Sequence, residues 1–308
     1  MSLRIAHLSD PHFGTVKPEV LAGLKESLHR LKPSCILISG DITQRARPDQ
    51  FLAARNFVKS LAPTPVIAIP GNHDIPLFNL PARLLRPYAG FRRLFKGSLN
   101  KDYVQNRVQI IGLNSTSRWR HVQGDFAPGK LEKYLKRFVR KDVAVRILAF
   151  HHPMDCAKWV DEKNLLRGRD SAMKLFEESQ IDLIVGGHIH DPYVNLSTER
   201  YPDIKRATVL AVAGTCLSWR IRAGAPNSFN LIEVDTEMAE PKLSITRYDA
   251  QMHQPVTSRQ ATSQQAKSPH SESSAEKPIA QFSPVGTTEF QRKSNGWESL
   301  TQPENERN

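Results

Sequence analysis

Leu183-Ile184-Val185-Gly186-Gly187-His188-Ile189-His190 is an apolar run that stops on two glycines and then sets two histidines one residue apart. A short, unbroken apolar run of this kind reads as a strand covered on both faces. The arrangement recurs along the chain. Residues 3–8 lead into Asp10 and His12, 35–39 into Gly40-Asp41, 66–69 into Gly71-Asn72-His73-Asp74, and 146–150 into His151-His152. Loops at the carboxyl ends of strands converge on one edge of an α/β sheet, so these distant groups can form one site. Further strands are expected at 108–113, 208–213 and 230–234, with helices at 18–31, 48–61, 131–140 and 170–179. Leu21, Leu24, Leu28 and Leu31 lie three or four residues apart, one face of a helix. Such alternation predicts an α/β sandwich.

The donors that follow the strands suit metal. Imidazole with carboxylate matches borderline divalent ions of the manganese, iron or zinc type, whereas an all-oxygen set would suit magnesium or calcium. In an extended segment, the D-x-H and H-x-H spacings point both side chains the same way. Gly40, Gly71, Gly186 and Gly187 permit tight turns and close approach of backbone to the site.

In order and spacing, Asp10-x-His12, Gly40-Asp41, Gly71-Asn72-His73-Asp74, His151 and Gly187-His188-x-His190 resemble the five signature blocks of the calcineurin-like metallophosphoesterases. The blocks span residues 10–190. Asn164-Leu165-Leu166-Arg167 and the Gly-Gly-His-Ile-His of 186–190 are most similar to the bacterial class III 3′,5′-cyclic-nucleotide phosphodiesterase branch. The resemblance implies a four-layer sandwich of two mixed β-sheets flanked by helices. It also implies Asp10, His12 and His190 on a first metal, Asn72, His151 and His188 on a second, and Asp41 bridging both. Two ions ~3.5–4 Å apart would activate a bridging water as hydroxide and clamp the phosphoryl oxygens during in-line attack. His73 matches the family's non-ligand histidine, which contacts the phosphate or protonates the leaving oxygen, and Asp74 would orient its ring. Only one of His151 and His152 should ligate, because neighbours in an extended segment face opposite ways. The family's His-x-Pro pattern, ending here at Pro153, favours His151.

The residues with no assigned part are as informative. Asn114, at the end of the fourth strand, and Arg118 are candidate substrate contacts. Arg118-Trp119-Arg120-His121 joins a bidentate fork for phosphate to a flat face for a base, though a solvated loop fits equally well. His7 reads as a hydrogen-bonded core residue, and His29 and His121 as surface residues. Arg83, Arg86, Arg92 and Arg93 read as a charged helix face, with a lid over the site as the alternative.

Of the 308 residues, 43 are Lys or Arg and 31 Asp or Glu, a formal charge of +12. From Gln251 onward three Lys and three Arg balance six Glu, so the excess belongs to the preceding body and favours anionic partners. A small phosphoester is favoured. Nucleic acid is allowed, but neither a coiled-coil docking segment nor a long extra domain follows His190. A nucleotide-lipid pyrophosphatase is a further alternative. A non-catalytic scaffold is disfavoured, because no metal position is lost. Apolar runs fall far short of the roughly 20 residues that a membrane-crossing helix needs. With no leader before the first strand, a cytoplasmic protein is expected. Cys35, Cys156 and Cys216 form no C-x-x-C pair and read as small buried hydrophobes. A phosphoesterase domain is expected over residues 1–248. Residues 249–308, rich in Ser, Gln, Thr, Pro and Glu, are expected to be a disordered polar tail, with a short linear motif around Phe290 or Trp297 as an option. The sequence leaves the substrate, the metals and the oligomeric state open.

Overall fold

Leu3–Leu8 (β1) and Cys35–Ile38 (β2) run parallel, Ile5 opposite Cys35 and Leu8 opposite Ile38, and Val66–Ala68 (β3) continues the parallel run. Pro18–Leu31 (α1) and Pro48–Ser60 (α2) make the crossovers that parallel neighbours need. Each opens on a proline, whose missing N–H leaves no orphan donor in a first turn. The structure is a computed structural model and describes residues 2–127, 129–222, 224–252 and 279–301.

After two short helices, Leu80–Leu85 (α3) and Ala89–Leu94 (α4), a second sheet begins. Its strands are Lys101–Gln105 (β4), Val108–Gly112 (β5), Val145–Ala149 (β6), Leu183–Gly186 (β7), Tyr193–Leu196 (β8) and Val209–Val212 (β9), in the order β4-β5-β6-β7-β9-β8. The four inner strands are parallel, and β4 and β8 close the edges antiparallel. Lys130–Phe138 (α5), Arg169–Glu178 (α6) and the single turn Ser197–Arg200 (α7) complete the helices. Ser228–Asp235 (β10) then returns antiparallel beside β1 in the first sheet.

Alternate residues of β1 and β2 belong to two cores, which is why β2 is apolar throughout and β1 is interrupted only by Arg4 and His7. Leu3, Ile5 and Leu37 pack with Val108, Ile147 and Leu183 of the second sheet. Ala6, Leu8, Ile36 and Ile38 pack with Leu24, Leu28, Phe51 and Phe57 of α1 and α2. Leu131, Leu135, Met173 and Phe176 of α5 and α6 join the first of these clusters. The result is the four-layer α/β sandwich of two mixed sheets flanked by helices. Each fully buried Leu, Ile or Phe contributes about 1.5–3 kcal/mol relative to exposure.

The polar C-terminal segment differs from its expected form. Lys242–Met252 (β11) passes the expected domain end at residue 248, and Ala280–Lys293 (β12) and Gly296–Ser299 (β13) extend the first sheet to β13-β12-β11-β10-β1-β2-β3. β11 pairs with β12 from Lys242 opposite Gln291 to Met252 opposite Ala280. The reason is burial at a few spaced positions. Ala280 and Phe282 pack into the cluster of α1 and Phe229, while Phe290 and Trp297 fill the core between the sheets. Phe290 and Trp297 are core residues, not a linear motif. The rest of the expected tail, 253–278 and 302–308, lies outside the described residues. Among the described residues no helix is long and apolar enough to cross a membrane.

Candidate metal centre

The strand ends meet through their backbones. Asp10 N donates to Gly40 O at 3.2 Å, His12 N to Asp41 O at 3.0 Å, and Gly187 N to His151 O at 3.0 Å. Asp10, His12, Asp41, His188 and His190 have φ of 50°, 47°, 48°, 72° and 56°. The paired donors are therefore aimed by left-handed turns and not by extended backbone. That conformation costs a non-glycine residue roughly 1–2 kcal/mol, so the surrounding sheets must impose it. Gly40 and Gly187 allow the close approach: a Cβ on the first would collide with the His151 imidazole, and on the second with Ser9 and the Asp10 carboxylate.

Hydrogen bonds at the far side of each ring fix what the near side offers. A carbonyl only accepts, so His190 Nδ1, 2.8 Å from Arg220 O, carries a proton. Its Nε2 in the neutral ring is then a lone pair, and it lies 3.1 Å from Asp10 Oδ1 and 3.0 Å from His12 Nε2. His151 Nδ1 likewise donates to Ser39 O at 2.8 Å, and its Nε2 lies 3.1 Å from Asn72 Oδ1 and 3.3 Å from Asp41 Oδ2. Asp41 Oδ2 is also 3.7 Å from His12 Nε2. His188 Nε2 is buried without a partner, and the His188 ring groups with Asp41 and His151. Three donor groupings overlap here, Asp10-His12-His190, His12-Asp41-His73 and Asp41-His151-His188, and electron pairs that face one another this closely fit cations.

Charge supports the fit. Despite burial, the imidazoles nearby hold Asp10 and Asp41 well below the ordinary carboxylate range, His190 foremost for Asp10 and His151 for Asp41. Burial, followed by the charge of His151, pushes His188 down to about 3. Ionised carboxylates and the neutral His188 ring are in the protonation states of metal ligands, whereas His151, against its burial, is pulled up to about 9 by Asp41, so an ion there would take the place of that ring's second proton.

His152 faces away from these clusters. Its Nε2 donates to Val122 O at 3.0 Å, leaving Nδ1 to accept from Ser115 Oγ at 2.8 Å. His73 stands at the open side, 14% exposed, with Nε2 3.9 Å from Asp41 Oδ2. Its Nδ1 donates to Gln44 O at 2.8 Å, so the expectation that Asp74 orients the ring is corrected. Both Asp74 oxygens are used by Ile42 N, Thr43 N, Thr43 Oγ1 and Gly71 N, which ties the second and third strand-end loops together. His121, expected on the surface, has its ring 5.5 Å from that of His73. Asn114 and Arg118 do not join the donors and line a separate cavity. Arg83 is buried and donates to Pro76 O and Arg120 O, so it is neither a lid nor a solvated helix face. His7 is in the core, as expected, with Nε2 2.9 Å from Ser39 Oγ. Arg220, open in the sequence to the same charged-face or lid reading, holds His190 through its carbonyl, and its guanidinium reaches Gln44, whose carbonyl holds His73.

Residues 3–192 match the calcineurin-like phosphoesterase family. The chain belongs to that family. As a calcineurin-like phosphoesterase it is a hydrolase of phosphoric ester bonds, with two divalent metal ions as cofactors and Asp/His clusters able to take them. It is 27% identical over 205 residues to a probable cyclic nucleotide phosphodiesterase of Synechococcus sp., covering 63% of this chain and 76% of that one. A second probable cyclic nucleotide phosphodiesterase, from Pseudoalteromonas sp., is 24% identical over 204 residues, 62% of this chain and 72% of its own. The fold is similar to a purple acid phosphatase from yellow lupin (Lupinus luteus) seeds, with a TM-score of 0.60 at 13% identity over 81% of this chain and 52% of the lupin chain.

Proposed function

We propose that this calcineurin-like phosphoesterase is a phosphodiesterase with a dinuclear centre, and that its substrate is a 3′,5′-cyclic nucleotide. In this reading Asp10, His12 and His190 hold one ion, Asn72, His151 and His188 the other, and Asp41 both. The observation that carries it is the position of Asp41 Oδ2, 3.7 Å from His12 Nε2 and 3.3 Å from His151 Nε2, common to both clusters. The four imidazoles favour manganese, iron or zinc over magnesium. Such a pair supplies Lewis acidity toward the phosphoryl oxygens and makes a nucleophile of water near neutral pH.

The chain's own groups supply the rest. Gln44 O fixes the His73 proton at Nδ1, so the ring takes up or releases its second proton at Nε2, beside Asp41. That end is placed to protonate an alkoxide leaving from phosphorus. Asp74 clamps the loops that carry Asp41 and His73, so that their separation does not drift as charge moves. The cyclic nucleotide is supported by the two relatives that bear that activity in their names. A cytoplasmic setting is part of the proposal, and three unpaired, buried cysteines suit a reducing compartment.

The test is one purified sample, reconstituted with Mn²⁺, Fe²⁺ or Zn²⁺ and assayed on cyclic nucleotides, glycerophosphodiesters, nucleotide-linked lipids and DNA. The highest kcat/KM should fall on a 3′,5′-cyclic nucleotide. A higher value on any other class removes the substrate, and one ion per chain at saturation removes the dinuclear centre.

A further inference from the structure

A cavity of about 360 Å³ lies between α4, the end of β5 and the start of α5, and none of the metal-centre residues lines it. That volume is at the lower end of the range of small-ligand pockets, about 300–1,000 Å³. Its hydrogen-bonding character can be worked out group by group. Asn100 Oδ1 accepts from Asn114 N at 2.9 Å, and Asn114 Oδ1 accepts from Thr116 N at 2.9 Å and Thr116 Oγ1 at 2.7 Å. An amide whose oxygen is fixed in this way has its NH₂ left to offer. Arg118 gives one N–H to Leu84 O, and the remaining donors of its fork are open. Arg92 has no side-chain partner among the described residues, and Lys130 Nζ only overlies the Tyr134 ring at 5.8 Å. The carboxylate in the lining, Asp125, is already paired with Arg120.

The open groups of the wall are therefore donors: two amide NH₂ groups and three cations. A wall rich in donors and without an open carboxylate selects a ligand rich in acceptors and negatively charged. Flat surfaces complete it, since Trp119 is 76% exposed and Tyr134 also lines the cavity. We propose that this cavity is a second binding site, independent of the metal centre, for a nucleotide-like anion: a phosphate joined to a flat ring. The phosphate is held by Arg92, Arg118 and Lys130 and the ring stacks on Trp119. Ser115 and Val122, from the loop that forms one wall, both bond His152, so the site is fastened beside the metal centre without sharing its donors.

The probe is adenosine 5′-monophosphate, titrated calorimetrically into the full metal-loaded chain, with adenosine and inorganic phosphate as the separate halves. Binding should survive Asp41→Asn, weaken at least tenfold in Arg92→Ala/Lys130→Ala, and be at least tenfold tighter for the nucleotide than for either half. Trp119→Phe should remove the accompanying fluorescence change. Circular dichroism confirms that each variant is folded. Binding abolished by Asp41→Asn and untouched in Arg92→Ala/Lys130→Ala would put the nucleotide at the metals and overturn the proposal, as would no binding at all. Phosphate binding as tightly as the nucleotide would overturn the role of the ring.

Discussion

At the metal-binding rim, polar side chains are mostly buried, the backbones of Asp10, His12, Asp41, His188 and His190 are left-handed, and electron pairs face one another. At the far edge of the first sheet, in β12 and β13, the polar side chains mostly face outward, the backbone is extended, and the buried apolar side chains are Ala280, Phe282, Phe290 and Trp297. The rim is held against its own preferences by the structure around it, and the edge adds to that structure. Substitutions at the rim should therefore act first on activity, and those at the edge on stability alone.

Asp41→Ala tests the rim most severely. It takes a ligand from both clusters, so kcat/KM should fall on the order of a thousandfold or more. Bound metal, read by elemental analysis, should fall below two ions per chain. In the presence of chelator the urea midpoint should fall as well, because the substitution takes the acceptor from His73 N and the charge that faces His151. Two tightly retained ions would break the comparison at its centre.

Trp297→Ala is the matching test at the edge. The side chain fills the space between the sheets, and its Nε1 donates to Asp182 Oδ1 at 3.1 Å. Loss of about 3–5 kcal/mol of stability is expected from the cavity alone. The kcat of the folded fraction should hold. Deletion of residues 280–308 should be worse still, since it strips three large side chains from two cores, whereas deletion of 302–308 removes none of these contacts.

His73→Gln sharpens the division within the rim. It stands beside the donors without completing either cluster in the proposed assignment, so both ions should remain while kcat falls about a hundredfold. Metal loss equal to that of Asp41→Ala would make it a ligand.

The rim was legible in the sequence because each donor follows an apolar run, and strand-plus-loop geometry then does the gathering. Its fine structure was not legible. The groups that set the proton positions of His151, His73 and His190 are the carbonyls of Ser39, Gln44 and Arg220, and a carbonyl is present at every residue. His121 reads as solvated because nothing in Arg118-Trp119-Arg120-His121 says that the loop folds back toward His73. Asp74 adjoins His73 in sequence but caps backbone N–H groups in another direction. At the edge, average composition over residues 249–308 hid Phe282, Phe290 and Trp297, whose spacing is that of strands with one face covered. β4, with the sequence Lys101-Asp102-Tyr103-Val104-Gln105, escaped notice for the same reason.

His7 gives the smallest effect at neutral pH and probes the ground between rim and edge. Ser9 Oγ donates to Asp10 Oδ2 at 2.5 Å, Ser39 Oγ to Ser9 Oγ at 2.9 Å, and His7 Nε2 therefore donates to Ser39 Oγ. Burial pushes the His7 ring down to about 3 from the ordinary 6.5, against the pull of Asp10. Between these values the unfolded chain binds a proton that the folded chain does not, so stability is full above pH 6.5 and falls as pH drops toward 3. The slope from this one ring is at most about 1.4 kcal/mol per pH unit. His7→Gln should cost about 1 kcal/mol at pH 7.5 through the altered hydrogen bond. With chelator present throughout, urea midpoints at pH 7.5, 6 and 5 should show the gap to the parent protein closing as the solution is acidified. A gap that stays constant would mean that His7 takes up its proton at the same pH in the folded and unfolded chains, and the direction of the serine relay toward Asp10 would have to be reversed or abandoned.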